Sequence, residues 1–197
     1  DGKIVVAGHT RAGTTDDFAL VRYNSDGSLD TSFDTDGKVS TPIGTTHDRA
    51  NAVMLQSDGK ILVAGYATTN SLTDFAAARY TGSGTLDTTY GSGGKVVTAI
   101  GSGNEEASAA VLLAGGKLVL VGNSDNGNNT DTALVRYNPD GTLDTAFDAD
   151  GKVVTQVGER TDQFNAAVIQ PDGKIVAAGL AHNHVNQDFS LARFNGD

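Results

Sequence analysis

No cysteine and no tryptophan occur among the 197 residues, and there are only 3 prolines. Lacking cysteine, the chain has no disulfide, no thiolate nucleophile and no Cys-ligated zinc or iron–sulfur centre. That absence leaves the compartment open, because secreted and cytosolic repeat proteins both tolerate it. No apolar run reaches the roughly 18 residues of a membrane-spanning helix, so no membrane insertion is expected. The opening "DGKIVVAG" has neither the basic start nor the long apolar core of a signal peptide. Basic residues are also scarce: Lys and Arg total 14 against 24 Asp and Glu, a net charge of −10. Such a chain repels nucleic-acid backbones and anionic lipid, and no Lys/Arg cluster offsets the repulsion. No nucleic-acid partner is therefore expected. A sustained apolar period of 3.6 is missing as well, which argues against helices.

Glycine is plentiful, with 25 residues, and with Asp, Asn and Thr it marks a chain of tight turns. The turns recur in phase. "DGKIVVAG" starts at Asp1, "DGKILVAG" at Asp58, "GGKLVLVG" at Gly115 and "DGKIVAAG" at Asp172, each 57 residues after the last. "DFALVRY", "DFAAARY", "DTALVRY" and "DFSLARF" keep the same register from Asp17, Asp74, Asp131 and Asp188. The repeats are thus 1–57, 58–114, 115–171 and a partial 172–197 of one domain. Each holds four apolar segments of strand length. In the second they are "ANAVMLQ" from Ala50 (A), "KILVAGY" from Lys60 (B), "DFAAARY" from Asp74 (C) and "KVVTAI" from Lys95 (D). Ser57-Asp58-Gly59 between A and B reads as a hairpin turn. Four antiparallel strands per repeat of this length predict an all-β fold, a β-propeller of four-stranded blades, about three and a half in this chain. A β-solenoid is the competing architecture, with shorter rungs than this period allows.

The words "RYNSDGSLDTSFDTDGKV" at Arg22 and "ANAVMLQSDGKILVAG" at Ala50 resemble the delta-60 repeat family. That resemblance implies bacterial β-propeller repeats of secreted or surface proteins, with no assigned function and no catalytic residues to carry over. The order of hairpin, loop and strand also resembles NHL-type propellers, which implies that strand A lies nearest the axis.

The copies serve as one another's control. Arg22, Arg79, Arg136 and Arg193 recur near the end of strand C, and Asp30, Asp87 and Asp144 recur after it. An Arg–Asp pair tying each strand to its turn is expected, since the guanidinium fork suits a carboxylate. Asp34 and Asp36, with Asp148 and Asp150, form Asp-x-Asp-Gly units that suggest a metal, calcium above all. Their counterparts Gly91 and Gly93 in the second repeat carry no carboxylate. Turn chemistry is therefore the first reading and a calcium site the second; no other cofactor is expected.

The copies disagree in two loop sets. B–C loops of nine residues ("HTRAGTTDD", "YATTNSLTD", "NSDNGNNTD", "LAHNHVNQD") and the D–A loops ("GTTHDRA", "GSGNEEA", "GERTDQF") should share one face of the propeller. All four histidines fall there. His9, Arg11, His47, Arg49, Tyr66, Asp125, Arg160, His182 and His184 are the candidate ligand-binding residues, because variable loops on a rigid scaffold carry recognition. His182-x-His184, if extended, would present two imidazoles on one side.

The function expected is that of a non-enzymatic secreted or cell-surface scaffold or adhesion module, binding a glycan or protein through this face. Its other expected partners are further repeats or other copies of itself. A structural subunit of a surface layer or filament is the first alternative. A metal-dependent hydrolase or lyase is the second, with His47, Glu105 or Glu106, and Asp162 converging on the axis.

Overall fold

The computed structural model describes residues 1–196. They form fourteen strands in four antiparallel sheets. Blade 1 contains β1 (Ile4–Ala12), β2 (Thr15–Tyr23) and β3 (Lys38–Thr41). Blade 2 contains β4 (Asp48–Leu55), β5 (Ile61–Thr69), β6 (Leu72–Tyr80) and β7 (Lys95–Thr98). Blade 3 contains β8 (Glu105–Leu112), β9 (Leu118–Asp125), β10 (Thr130–Tyr137) and β11 (Lys152–Thr155). Blade 4 contains β12 (Gln163–Ile169), β13 (Ile175–His182) and β14 (Gln187–Phe194). Within each sheet, neighbours in space are neighbours in sequence. The first strands β4, β8 and β12 pack on one another from blade to blade, as the innermost strands of a propeller do.

The strands run further than side-chain patterning suggests. The expected nine-residue B–C loops are mostly ladder. β5 continues to Thr69 and β6 starts at Leu72, leaving Asn70 and Ser71 at positive φ as a two-residue turn. Backbone pairing does not depend on apolar side chains, so Thr68 pairs with Thr73 and Arg11 with Asp16 beyond the end of the buried face.

Each complete inner strand carries one bulge. The register slips at Ala50/Ala52, Ala107/Ala109 and Phe164/Ala166, pushing Asn51, Ser108 and Asn165 out of the ladder. Opposite the slip stand Gly65, Gly122 and Gly179, where a Cβ would lie 1.9 Å from the carbonyl oxygens of Arg49, Glu106 and Gln163. The glycine at these three positions is thus a slot for the bulged partner.

The core lies between blades. Phe18, Leu20 and Phe33 of blade 1 cluster with Ile61, Val63, Ala76 and Tyr80 of blade 2. Equivalent clusters join blades 2 and 3, and blades 3 and 4. Both faces of a central blade are therefore apolar, which explains strands without strict alternation. The expected Arg–Asp pairs are present: Nε of Arg22, Arg79 and Arg136 stands 2.6, 2.8 and 2.6 Å from Asp30, Asp87 and Asp144. Lys3, Lys60 and Lys117 join the same carboxylates. Each guanidinium lies over an aromatic ring, Phe33, Tyr90 or Phe147, at 4.4, 4.7 and 4.4 Å. Its Nη1 donates to a carbonyl of the next blade: Gly82, Pro139 or Gly196. The row of arginines therefore rivets turn to strand and blade to blade.

Candidate functional site

The B–C hairpins and the D–A connections meet at one end of the arc, as expected. The Asp16 amide donates to the Thr46 carbonyl (2.9 Å), Thr45 to Thr68 (2.7 Å), Asp125 to Asn104 (2.9 Å) and Asp162 to Thr130 (2.7 Å).

One acidic position holds each D–A connection in shape. Asp48 accepts the amides of Ile43 and Gly44 at 2.7 and 3.0 Å. Glu105 accepts those of Ile100 and Gly101 at 3.3 and 3.0 Å. Asp162 accepts those of Val157 and Gly158, both at 2.8 Å. All three are buried. The signal was in the sequence, an Asp or Glu every 57 residues, but it sits inside loops that otherwise vary. The convergence expected of His47, Glu105 or Glu106, and Asp162 does not form, because Glu105 and Asp162 are committed to the backbones of separate connections. Among the described residues, no three His, Asp or Glu side chains stand together as a metal site. At the blade 2–3 seam Glu105 also meets Asp74. Burial pushes both carboxyls above their usual range; the neighbouring Asp74 charge adds to the rise at Glu105, whereas the hydrogen bond with Glu105 offsets part of the rise at Asp74.

The seam between blades 1 and 2 carries a cluster that no other seam repeats among the described residues. Asp16, at the start of β2, is 6% exposed. Its Oδ2 lies 3.1 Å from His47 Nδ1 and 3.8 Å from Arg49 Nη2, and its Oδ1 lies 3.5 Å from Arg11 Nε. The three side chains turn outward, 67% (Arg11), 48% (His47) and 47% (Arg49) exposed. At the equivalents of Asp16 the chain has Thr73, Thr130 and Gln187; at those of Arg49 it has Glu106 and Gln163. Tyr66 stands across the ladder from Arg49. Burial, then the Glu106 charge, raises its phenol above the usual value. His9 is exposed on β1, one strand pleat from Arg11 and so on the same side of the sheet. Five of the nine candidate residues, His9, Arg11, His47, Arg49 and Tyr66, thus fall at or beside one seam. Asp16, which organises the cations, was missed; its only signal is a second carboxylate before the recurring Asp17.

The remaining four lie on blades 3 and 4. Arg160 Nε donates to His184 Nδ1 at 2.8 Å, and His184 Nε2 lies 2.9 Å from Glu159. An Nδ1 that accepts leaves the proton on Nε2, directed at the carboxylate. A cleft of about 630 Å³ opens beside them, lined also by Asn128, Asn129 and Gln156. His182 and His184 do not form the expected extended pair: His182 ends β13, whereas His184 sits in the following turn with φ +66°. Asp125 accepts the Gly127 amide at 2.7 Å and shapes its own turn.

The carboxylates considered for calcium lie at the other end of the blades. Asp36 and Asp150 each accept a turn amide, from Lys38 and Lys152, at 2.9 Å. Asp34 and Asp148 hold φ of +45° and +49°, the conformation Gly91 takes at +53° in blade 2. Asp is among the few side chains that tolerate this region, so the geometry gives these four residues a turn role.

A family model described as a domain of unknown function (DUF5122) β-propeller matches residues 1–33, 56–90, 115–147 and 170–197. No curated protein matches the chain.

Proposed function

We propose, from the premise that the chain belongs to the DUF5122 β-propeller family, that it is a secreted or cell-surface binding module. Its ligand is an acidic glycan, held at the loop end of the blade 1–2 seam. The single observation that carries this reading is the cation cluster on Asp16. A seam needing only architecture repeats its neighbours, and this one does not. Two outward guanidiniums suit the planar carboxylate of a uronic acid. The half-buried Tyr66 ring supplies an apolar surface with a polar tip for a sugar. Asp16 fixes both arginines in advance, which lowers the ordering cost on binding. The resemblance to delta-60 repeats of bacterial surface proteins supports the location.

The test is a glycan array followed by titration with a tetramer of galacturonic acid. Wild-type chain should bind carboxylated oligosaccharides and lose affinity as salt rises. Arg11→Ala/Arg49→Ala should weaken binding at least about tenfold, the effect of losing one or two charge-assisted contacts. Unchanged binding by that variant, or a preference for neutral glycans, would overturn the reading.

A further inference from the structure

At the loop end of the covered seam between blades 3 and 4, one residue breaks the turn rule of its repeats. The tip of each B–C hairpin has a fixed position at positive φ, occupied by Gly13 at +68°, Asn70 at +52°, Gly127 at +87° and His184 at +66°. Glycine adopts that conformation freely and asparagine with little penalty, whereas a larger side chain is strained there. An imidazole at this position gives up stability that glycine would keep, and such departures collect at functional sites.

In return the imidazole fixes a pair of opposite charges. Arg160 Nε donates to its Nδ1 at 2.8 Å, and its Nε2 lies 2.9 Å from Glu159. The counterparts of Glu159 and Arg160 are Ser102 and Gly103 one repeat earlier, and Thr45 and Thr46 one before that. The side chains of His184 and Glu159 are 54% and 64% exposed. Pairs this exposed contribute little to stability, so holding the fold does not account for them. The adjoining cleft of about 630 Å³ is within the size range of small-molecule sites. Asn128, Gln156 and Thr161, all exposed, add two amides and a hydroxyl to its lining.

An imidazole whose Nδ1 accepts is neutral, so Arg160 and Glu159 leave the cleft without net charge. An anion entering it meets Glu159, and a cation meets Arg160. A neutral ligand with adjacent hydroxyls meets neither penalty. Each hydroxyl donates and accepts, and the forked ends of guanidinium, carboxylate and amide can each serve two at once. We infer that this cleft binds a neutral sugar through vicinal hydroxyls, with Arg160, Glu159, Asn128 and Gln156 in contact and His184 as the positioning residue that holds the first two. Val157 and Val185, 41% and 87% exposed, lie within two residues of Glu159 and His184 and offer apolar surface to the C–H face of the ring. The inference is independent of the acidic-ligand site on blades 1 and 2.

Titration of the isotope-labelled 197-residue chain with maltose, cellobiose, lactose and mannobiose tests it. At least one should give saturable shifts centred on Asn128, Gln156, Arg160 and His184, insensitive to added salt because no net charge is neutralised. His184→Gly restores the residue type of Gly13 and Gly127 at this turn. Its urea midpoint should match wild type, while binding weakens at least about tenfold because two side chains must then be ordered by the ligand. Arg160→Ala should abolish the shifts, and tetragalacturonate should leave these signals in place. No saturable shift with any of the neutral sugars, a His184→Gly chain that binds as wild type does or loses binding and stability together, or a stronger response to tetragalacturonate would each overturn the inference.

Discussion

A methyl group at Gly65 or Gly122 would sit 1.9 Å from the carbonyl oxygen of Arg49 or Glu106, inside the bulged inner strand. Backbone, not a flexible side-chain tip, would have to move. Gly8 holds the same place in β1 and has nothing within 4 Å of a built Cβ. Gly65→Ala and Gly122→Ala should each cost more than about 3 kcal/mol, the range of severe steric changes. Gly8→Ala should fall within about 0.5 kcal/mol of the parent. Urea denaturation of the three variants checks both statements. The buried rivet gives a parallel contrast. Arg136 is 1% exposed, and Arg136→Ala would leave Asp144 with Lys117 alone and remove the bond to the Gly196 carbonyl, at a cost of about 1.5–3 kcal/mol, the range for hydrogen bonds to charged groups. Arg193→Ala, at an exposed side chain, should leave the melting temperature of this 197-residue chain unchanged. The rivet was legible in the sequence because both partners recur in fixed register. The bulge was not, since what faces the recurring glycine is a backbone slip with no residue type of its own.

At the scale of the connecting elements, stability should depend on pH in two opposing ways. Asp30, Asp87 and Asp144 are held below the usual carboxylate range, by Lys3, by the Thr89 hydroxyl and by Lys117 respectively. A lowered folded-state value means that their contribution is present above the ordinary range near pH 4 and is lost as pH falls through the folded value. Asp74 and Glu105 are raised. Their contribution is present below the ordinary range and is lost as pH climbs through the raised values. Asp74→Asn removes one of the two like charges. Its stability relative to the parent should therefore increase between about pH 4 and pH 7. Chemical denaturation at a series of pH values checks this, and a difference that stays flat or runs the other way would contradict it. The loops containing these groups were only half legible. Their variability pointed to the correct end of the blades. Their true length did not show, because Thr68, Thr73, Arg11 and Asp16 pair through the backbone while their side chains look like loop. Asp48, Glu105 and Asp162 were hidden for a related reason: a buried carboxylate that closes a loop has the composition of an exposed one.

At the scale of the whole molecule, the repeats divide labour by face. Three recurring features hold blade to blade: the arginine rivet, the inter-blade clusters and the bulged inner strand. What does not recur collects at the loop end, most densely around Asp16. The 57-residue phase made the propeller readable from sequence. The grouping of His9, Arg11, His47, Arg49 and Tyr66 at one seam required the fold, because those residues come from two blades. The proposal that this seam binds an acidic glycan can be met by one titration: isotope-labelled chain with tetragalacturonate, followed by the amide and side-chain signals of each residue. Saturable shifts confined to the loop end of blades 1 and 2, centred on Arg11, His47, Arg49 and Tyr66 and abolished in Arg11→Ala/Arg49→Ala, are the predicted result. No saturable shift, or shifts centred on the Asp34 and Asp148 turns at the opposite end, would contradict it.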